Sequence, residues 1–276
     1  VGILYICGTP IGNLEDISIR LLKTLRRVDL IACEDTRHTI KLLNRYKIKN
    51  KMISYHEHSR REKEDFLIEQ LLAGKNIAVV SDAGMPGISD PGEILVKRAI
   101  AEGIRIEVVP GPSALIAALA VSGLDSTEFI FAGFLPERSA KRQQSLQQYL
   151  NETRTVILYE APHRLLETLI DIVAVLGDER NLVVVRELTK KFEEVKRGRA
   201  RELKEFFTIN SPRGEICLLI AGAEISHEPP DIEKIAGEIN SLIESGMDKK
   251  EALKIKAREH HIKKAILYNY FVENKD

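Results

Sequence analysis

An excess of either charge is missing from this sequence. Its 41 basic and 41 acidic residues cancel to a formal net charge of zero, so the protein as a whole carries no field that would announce a nucleic-acid partner. Cysteine is scarce as well. Cys7, Cys33 and Cys217 are odd in number, form no C-x-x-C pair and fall in or beside strand-like runs, which favours core thiols in a reducing compartment over disulfides or zinc ligands. No apolar run reaches membrane-spanning length, and the N-terminal Val1-Gly2-Ile3-Leu4-Tyr5-Ile6 has no basic segment ahead of its apolar residues. It reads as a strand of a cytoplasmic protein. His56 and His58 flank Glu57 without a remote partner to complete a coordination geometry, so no metal site is expected.

What is present is a soluble globular composition, 44% apolar and 30% charged over 276 residues, enough chain for one large or two medium domains. From residue 1 to 123 strand and helix patterns alternate. Ile3 to Cys7, Val28 to Cys33, Met52 to Tyr55, Ile77 to Val80 and Ile104 to Val109 read as strands, with helical spacing over Asp16 to Arg27, Thr36 to Tyr46, Glu62 to Ala73 and Glu93 to Gly103. That order implies an α/β fold with a mainly parallel sheet covered on both faces.

A second α/β portion, 124–225, repeats the alternation. Its strands are Glu128 to Ala132, Thr155 to Tyr159, Leu182 to Val185 and Ile216 to Ile220, with a helix from His163 to Leu176. Glu137 to Gln148 reads as a hinge followed by a surface helix, and Phe192 to Arg199 as a further strand open to antiparallel pairing. The pattern breaks at Ser226-His227-Glu228-Pro229-Pro230-Asp231, an exposed linker. Three short helical periods then make a small appendage, 231–276, with Asp248 capping the second.

The loops at the strand ends are chemically unusual. Ser81-Asp82-Ala83-Gly84-Met85-Pro86-Gly87-Ile88-Ser89-Asp90-Pro91-Gly92 joins the fourth strand to a helix. Its glycines and prolines permit tight turns and close backbone approach, and its length exceeds what an N-cap at Ser89 or Asp90 requires. The first strand ends in Gly8-Thr9-Pro10-Ile11-Gly12-Asn13, which fits neither the dinucleotide nor the P-loop glycine pattern. The fifth ends in Pro110-Gly111-Pro112-Ser113-Ala114, a helix start with free N–H groups. Three such loops on one sheet edge mark a ligand wall. Further polar clusters stand at other strand ends: Glu34-Asp35-Thr36-Arg37-His38, Tyr159-Glu160-Ala161-Pro162-His163-Arg164, Arg186-Glu187-Leu188-Thr189-Lys190 and Arg213-Gly214-Glu215.

Taken in order, G-T-P-I-G-N-L, A-C-E-D-T-R-H-T, S-D-A-G-M-P-G-I-S-D-P-G, P-G-P-S-A, G-F-L-P, Y-E-A-P-H-R-L and R-E-L-T-K resemble the tetrapyrrole-methylase superfamily. Within it they resemble the bacterial 16S ribosomal RNA cytidine 2′-O-methyltransferases, over Leu4 to Ala221 and again in the tail Lys263-Lys264-Ala265-Ile266-Leu267-Tyr268. The resemblance implies two α/β domains with S-adenosylmethionine in the cleft between them, and a homodimer acting on 16S ribosomal RNA or the small ribosomal subunit. Carried over by position, the cofactor contacts fall at Thr9, Pro10, Asp82, Gly84, Ser113 and Ala114, with Phe134, Leu135, Tyr159 and Glu187 in a wider set. Met85 stands where the family usually has threonine, which removes a hydroxyl.

Methyl transfer to a ribose hydroxyl is an in-line displacement that needs positioning and removal of a proton but no metal. Glu34, Asp35, Glu160 and Glu187 are candidates for that role, and Arg37, Arg164, Arg186 and Lys190 for holding phosphates. The tail adds a basic face between Lys249 and Lys264, including Lys263 and Lys264, suited to gripping a polyanion. Two other readings stay open: a methylase of a tetrapyrrole precursor, and a non-catalytic RNA-binding assembly factor. The basic tail and the two charged loop motifs favour a polyanion over a macrocycle.

Overall fold

The computed structural model describes residues 1–55, 60–87, 92–224, 232–260, 262 and 264–273, without the side chains of Arg60, Arg258 and Glu273. His56, Glu57 and His58, the Ser89 and Asp90 cap candidates, the linker at 226–231 and Lys263 lie outside the described residues. The chain divides into two compact units, Val1–Ala223 and Glu224–Asp276.

The first unit begins with β1 (Ile3–Cys7), a 3-10 turn at Leu14–Asp16, α1 (Ile19–Arg27), β2 (Leu30–Cys33), α2 (Thr36–Arg45), β3 (Met52–Ser54), α3 (Arg60–Leu72), β4 (Ile77–Val80), α4 (Gly92–Ala101) and β5 (Arg105–Val109). The five strands form one parallel sheet in the order β3-β2-β4-β1-β5. Period-two alternation decides which helix covers which face. Leu4, Ile6, Ile77 and Val79 turn to a core filled by Leu67 and Leu71 of α3 and Leu95 and Ala99 of α4. Cys7, Ile31, Cys33, Ala78 and Val80 turn the other way, onto Leu21 and Leu25 of α1 and Leu42 and Leu43 of α2. Helix α1 starts later than its apolar spacing suggests because the Ser18 hydroxyl caps it, accepting from the Leu21 N–H at 3.0 Å.

Helix α5 (Ala114–Ser122) follows and leads into β6 (Phe129–Phe134), α6 (Ser139–Gln147), β7 (Thr155–Glu160), α7 (Leu165–Leu176), β8 (Asn181–Arg186), β9 (Glu194–Arg199), α8 (Ala200–Ile209) and β10 (Ile216–Ile220). The second sheet runs β6-β7-β10-β8-β9 and is mixed: β6 and β7 are parallel, and every other pairing is antiparallel. Its expected strands are all present, and β9 pairs antiparallel with β8. Gly133 and Phe134, which follow the Glu128 to Ala132 run, belong to β6 beyond a bulge between Phe131 and Gly133.

One face of this sheet packs on Leu146 of α6, Leu165, Leu169 and Ile172 of α7, and Leu203 and Phe207 of α8. The other face receives α5, whose Leu115, Ala118 and Leu119 lie on Ile157, Val183, Cys217 and Leu219. Helix α5 is apolar nearly all round, yet it is covered on one side only: Ile116 and Val121 remain exposed. The boundary expected at residue 123 falls just after it, and both sheets belong to the same compact unit. Helix α6 is less of a surface helix than its polarity suggests. Arg142, 1% exposed, donates from Nε to Asp171 at 2.6 Å and from Nη1 to the Glu137 carbonyl at 2.9 Å. Asp171 also accepts from Ser139 and Gln143, so the polar start of α6 is tied down onto α7.

The second unit comprises α9 (Ile232–Glu244), α10 (Lys249–Glu259) and α11 (Lys264–Glu273), with Ile235, Ile239, Ala252, Leu253, Ala257 and Leu267 as its core. Asp248 caps α10 as expected, accepting from the Lys250 N–H at 2.9 Å. Glu238, Glu259 and His260 bring ligand-type atoms together. Lys256 sits between the two carboxylates, at 3.0 and 2.7 Å, so a lysine is the cation of that cluster. Among the described residues no helix is long and apolar enough to cross a membrane.

Candidate active site

Loops from both sheets enclose a cavity of about 370 Å³. The first sheet supplies Ile11 after β1, Ala83, Gly84 and Met85 after β4, and Ser113 with Ala114 at the start of α5; the second supplies residues from the ends of β6, β7 and β8 and the start of β10.

Backbone contacts hold the first wall. Thr9 and Gly84 form an isolated antiparallel bridge, Thr9 N–H to Gly84 carbonyl at 2.9 Å and Gly84 N–H to Thr9 carbonyl at 3.2 Å. The Thr9 hydroxyl donates to the Ser81 carbonyl at 3.2 Å, so this buried side chain joins the loops after β1 and β4. Gly84 takes φ +82°, a left-handed backbone that glycine adopts freely. A Cβ on Gly8 would stand 2.7 Å from the Gly111 nitrogen, so the loops after β1 and β5 touch only because both residues lack side chains. Ser113 is the N-cap residue of α5 but makes no side-chain cap hydrogen bond. The helix therefore opens on the cavity without a side-chain cap; its Leu115 N–H meets the Tyr159 phenol oxygen, and the remaining first-turn N–H groups are left for an acceptor.

The second wall is apolar and aromatic. Tyr159 packs edge-on against Phe131 at 5.0 Å and tilted against Phe134 at 5.7 Å, with Val185 and Leu188 completing the surface. Burial pushes the Tyr159 phenol up to about 12 and the Cys217 thiol also up to about 12, so both remain protonated at neutral pH.

Of the residues expected to contact a cofactor, Gly84, Ser113, Ala114, Phe134 and Tyr159 line the cavity. Thr9 and buried Pro10 stand behind it, and Leu135 lies in the core of the second sheet. Asp82 turns toward the loop after β2: its Oδ1 accepts from the Asp35 N–H at 3.0 Å, and His38 Nδ1 lies 3.7 Å from Oδ2.

Glu160 alone of the four expected carboxylates is a lining residue, 3% exposed, accepting from the Thr168 hydroxyl and from the Ala161 N–H at 2.8 Å. Glu187 takes φ +52° and accepts from Lys190 Nζ at 2.8 Å and the Glu215 N–H at 3.0 Å; the Lys190 ammonium holds its carboxyl below the usual range. Asp35 caps α2 and pairs with Arg37 at 2.6 Å, and hydrogen bonds from Arg37 hold its carboxyl down at about 2. Glu34 is the half-buried residue just after β2.

The four loop cations are engaged. Arg37 pairs with Asp35, Arg186 with Glu194 and Lys190 with Glu187 and Glu215. Arg164 donates to the Leu135 and Pro136 carbonyls at 2.8 and 3.2 Å, beside Glu160, which locks the end of β6 to the start of α7. Lys264 opens α11 and is exposed.

Gly214, Glu215, Ile216 and Cys217 also line the cavity; the sequence marks Arg213-Gly214-Glu215 as a polar cluster at a strand end but names none of these four as a site residue. Antiparallel pairing places Ile216, at the start of β10, against Glu160 and Arg186 at the ends of β7 and β8. A reading that looks only beyond the carboxyl ends of strands passes over this segment. The local signal is the Arg213-Gly214-Glu215 cluster, in which Gly214 takes φ +85° and any Cβ would run into the Glu187 side chain.

The model of the Tetrapyrrole (Corrin/Porphyrin) Methylases matches residues 3–204. Over 274 residues the chain is 48% identical to the ribosomal RNA small subunit methyltransferase I of Synechocystis sp., covering 99% of this chain and 98% of that one. The relative of the same name from Escherichia coli O157:H7 is 43% identical over 274 residues, covering 99% and 95%. Among solved structures, the uroporphyrin-III C-methyltransferase of Thermus thermophilus complexed with S-adenyl homocysteine gives a TM-score of 0.57 at 17% identity over 80% of this chain and 97% of that one. A cobalt precorrin-4 methyltransferase gives 0.59 at 20% identity over 79% and 94%. Identities that low speak to the fold alone. The family model spans most of the chain and the ribosomal relatives align with it end to end: this protein belongs to the tetrapyrrole methylase family.

Proposed function

We propose that the protein transfers a methyl group from S-adenosylmethionine to RNA of the small ribosomal subunit, and more narrowly to the ribose 2′-hydroxyl of a cytidine in 16S ribosomal RNA. The observation that carries the reading is the make-up of the cavity. Its volume of about 370 Å³ falls in the range of roughly 300–1,000 Å³ usual for small-molecule sites. Ile11, Phe134, Tyr159, Val185 and Leu188 suit a purine, and the uncapped start of α5 suits a carboxylate or ribose hydroxyls. RNA is favoured over a macrocycle by relatives that are 42–49% identical and bear a ribosomal RNA methyltransferase name, whereas the tetrapyrrole-acting methylases share only the fold.

S-adenosylmethionine supplies a methyl group on a positively charged sulphur. The chain's work is to hold that methyl in line with the hydroxyl and to take the proton released as the new C–O bond forms and the C–S bond breaks. Ser113 and Ala114 bind the cofactor's polar end, and Phe134 and Tyr159 exclude water. Glu160 and Glu215 stand in the wall where a hydroxyl can be oriented and its proton accepted. Glu187 acts on Glu215 by accepting its backbone N–H. Cys217, protonated because it is buried, does not compete for the methyl as a thiolate would. We read the protein as a homodimer; the exposed Ile116 and Val121 on the outer side of α5 give a second copy an apolar surface.

The test is to incubate the protein with methyl-labelled S-adenosylmethionine and small ribosomal subunits from cells lacking it. Label should enter RNA, at a cytidine whose 2′-O-methyl group makes the following phosphodiester resistant to alkali. Absence of label from RNA, or its transfer to a porphyrinogen instead, would overturn the assignment. Light scattering checks the dimer.

A further inference from the structure

In a chain with no net charge, α1 is one-sided. Ile19–Arg27 contains Arg20, Lys23, Arg26 and Arg27 and no acidic residue. Leu21, Thr24 and Leu25 bury one face of the helix. Arg20, Lys23 and Arg27, spaced three and then four residues apart, form a single row on another. The row is about 10 Å long at 1.5 Å per residue, and its like charges repel one another along the helix.

That row is one wall of a second cavity, of about 250 Å³, beside the β1–β5 edge of the first sheet. Thr24 and Val28 line the same side, and Tyr5, Asn76, Glu107 and Val109 complete it. The acids nearby are already engaged: Glu107 pairs with Arg105 at 2.5 Å, and Asp29 accepts the Asn76 N–H at 2.8 Å. Arg20 donates to the Val108 carbonyl of the edge strand, which fixes the cleft's width. Among the described residues, Lys23 and Arg27 have neither a hydrogen-bond nor an ion-pair partner for their side chains, and both are exposed.

We propose that this cleft binds the phosphodiester backbone of the RNA substrate, as a docking site separate from the active cavity. The inference rests on the RNA-methyltransferase reading above. Unpaired cations in a row at about 5–6 Å spacing are suited to successive phosphates of one strand, and Tyr5 and Asn76 add polar groups. Position supports it too. Val109 lies in the cleft wall and Ser113, four residues later, in the active cavity, so the two sites flank one loop and lie within about 14 Å of each other along the chain. A strand held by α1 therefore passes close to where a nucleotide enters the cavity.

The experiment compares the wild type with the double variant Lys23→Ala/Arg27→Ala, titrating labelled 16S RNA at several salt concentrations. Two lost phosphate contacts should lower the log–log salt slope by about 1.4–1.8, so that a fourfold rise in salt costs the variant roughly 7–12-fold less affinity than it costs the wild type. Thermal stability and S-adenosylmethionine binding should not change, because neither side chain has a partner among the described residues. An unchanged slope overturns the proposal, even if inorganic phosphate alone is found to bind the cleft. If the wild type itself neither binds nor methylates RNA, it is the functional reading that fails, and the two failures are told apart in the same titration.

Discussion

Replacing Asp82 by alanine separates two roles that this residue can play. Its carboxylate accepts the Asp35 N–H at 3.0 Å and lies 3.7 Å from His38, so it braces the loop after β4 against the loop after β2. A charge-assisted hydrogen bond of this kind contributes about 1.5–3 kcal/mol. With 32% of the side chain exposed, we take the lower end, near 1.5 kcal/mol. For a unit of this size each kcal/mol moves the melting temperature by about 2–4 °C, so Asp82→Ala should melt some 3–6 °C lower. Cofactor affinity, measured by calorimetry on the folded protein, should fall less than about threefold, since that corresponds to under 1 kcal/mol. Asp82→Asn keeps an acceptor and should recover most of the lost stability. If the melting temperature holds while affinity drops tenfold or more, the brace is wrong and the carboxylate contacts the cofactor directly.

Arg142→Ala strands Asp171 in the α6–α7 contact and should cost about 3–5 kcal/mol in urea unfolding; converting both Arg142 and Asp171 to apolar residues should cost less than the single change. Cys7, Cys33, Cys217 and Tyr159 all have acid groups raised by burial, so the folded protein holds protons that the unfolded chain releases. Stability contributed by these groups is present below their unfolded values and should fall as pH rises from about 9 toward 12, and iodoacetamide at pH 8 should label the thiols only on unfolding. Gly214→Ala forces the Glu187 side chain aside and strains a left-handed backbone; methyl transfer should drop more than cofactor binding does, and equal losses in both would argue against a role in placing Glu215.

Much of the fold was legible because burial imposes short periods on sequence. The β-branched runs of β1, β4, β8 and β10 are bounded by glycine or charge, and the alternation in Leu4, Ile6 and Tyr5, Cys7 already assigns faces. Helix α8 was passed over because Ala200-Arg201-Glu202-Leu203-Lys204-Glu205 is mostly charged, and its apolar face becomes apparent only once Leu203 and Phe207 meet the second sheet. The mixed pairing of that sheet was hidden for a different reason. Strand direction is set by which partners arrive, and Ile216 to Ile220 would read the same in either sense. The candidate site followed the same division. Loops rich in glycine and proline after β1, β4 and β5 stood out, as did Tyr159 and Phe134, whereas Gly214 and Glu215 reach the cavity only through antiparallel register. Arg164 and Asp82 look like ligand-binding groups in a string of letters; their hydrogen bonds to neighbouring loops require coordinates.

Helix α5 also constrains how such a protein can be taken apart. It is encoded with the first sheet yet contributes Leu115, Ala118 and Leu119 to the underside of the second. A gene fragment ending at residue 123 would release a polypeptide with those side chains turned to water, and the complementary fragment would lack the lid over Ile157, Val183 and Leu219. Neither piece is a module that could be shuffled intact into another protein. During synthesis the first sheet can close on its own helices, but α5 has no finished surface to lie on until β10 leaves the ribosome, so the mouth of the cavity, which α5 opens, is assembled only after the last strand of the second sheet.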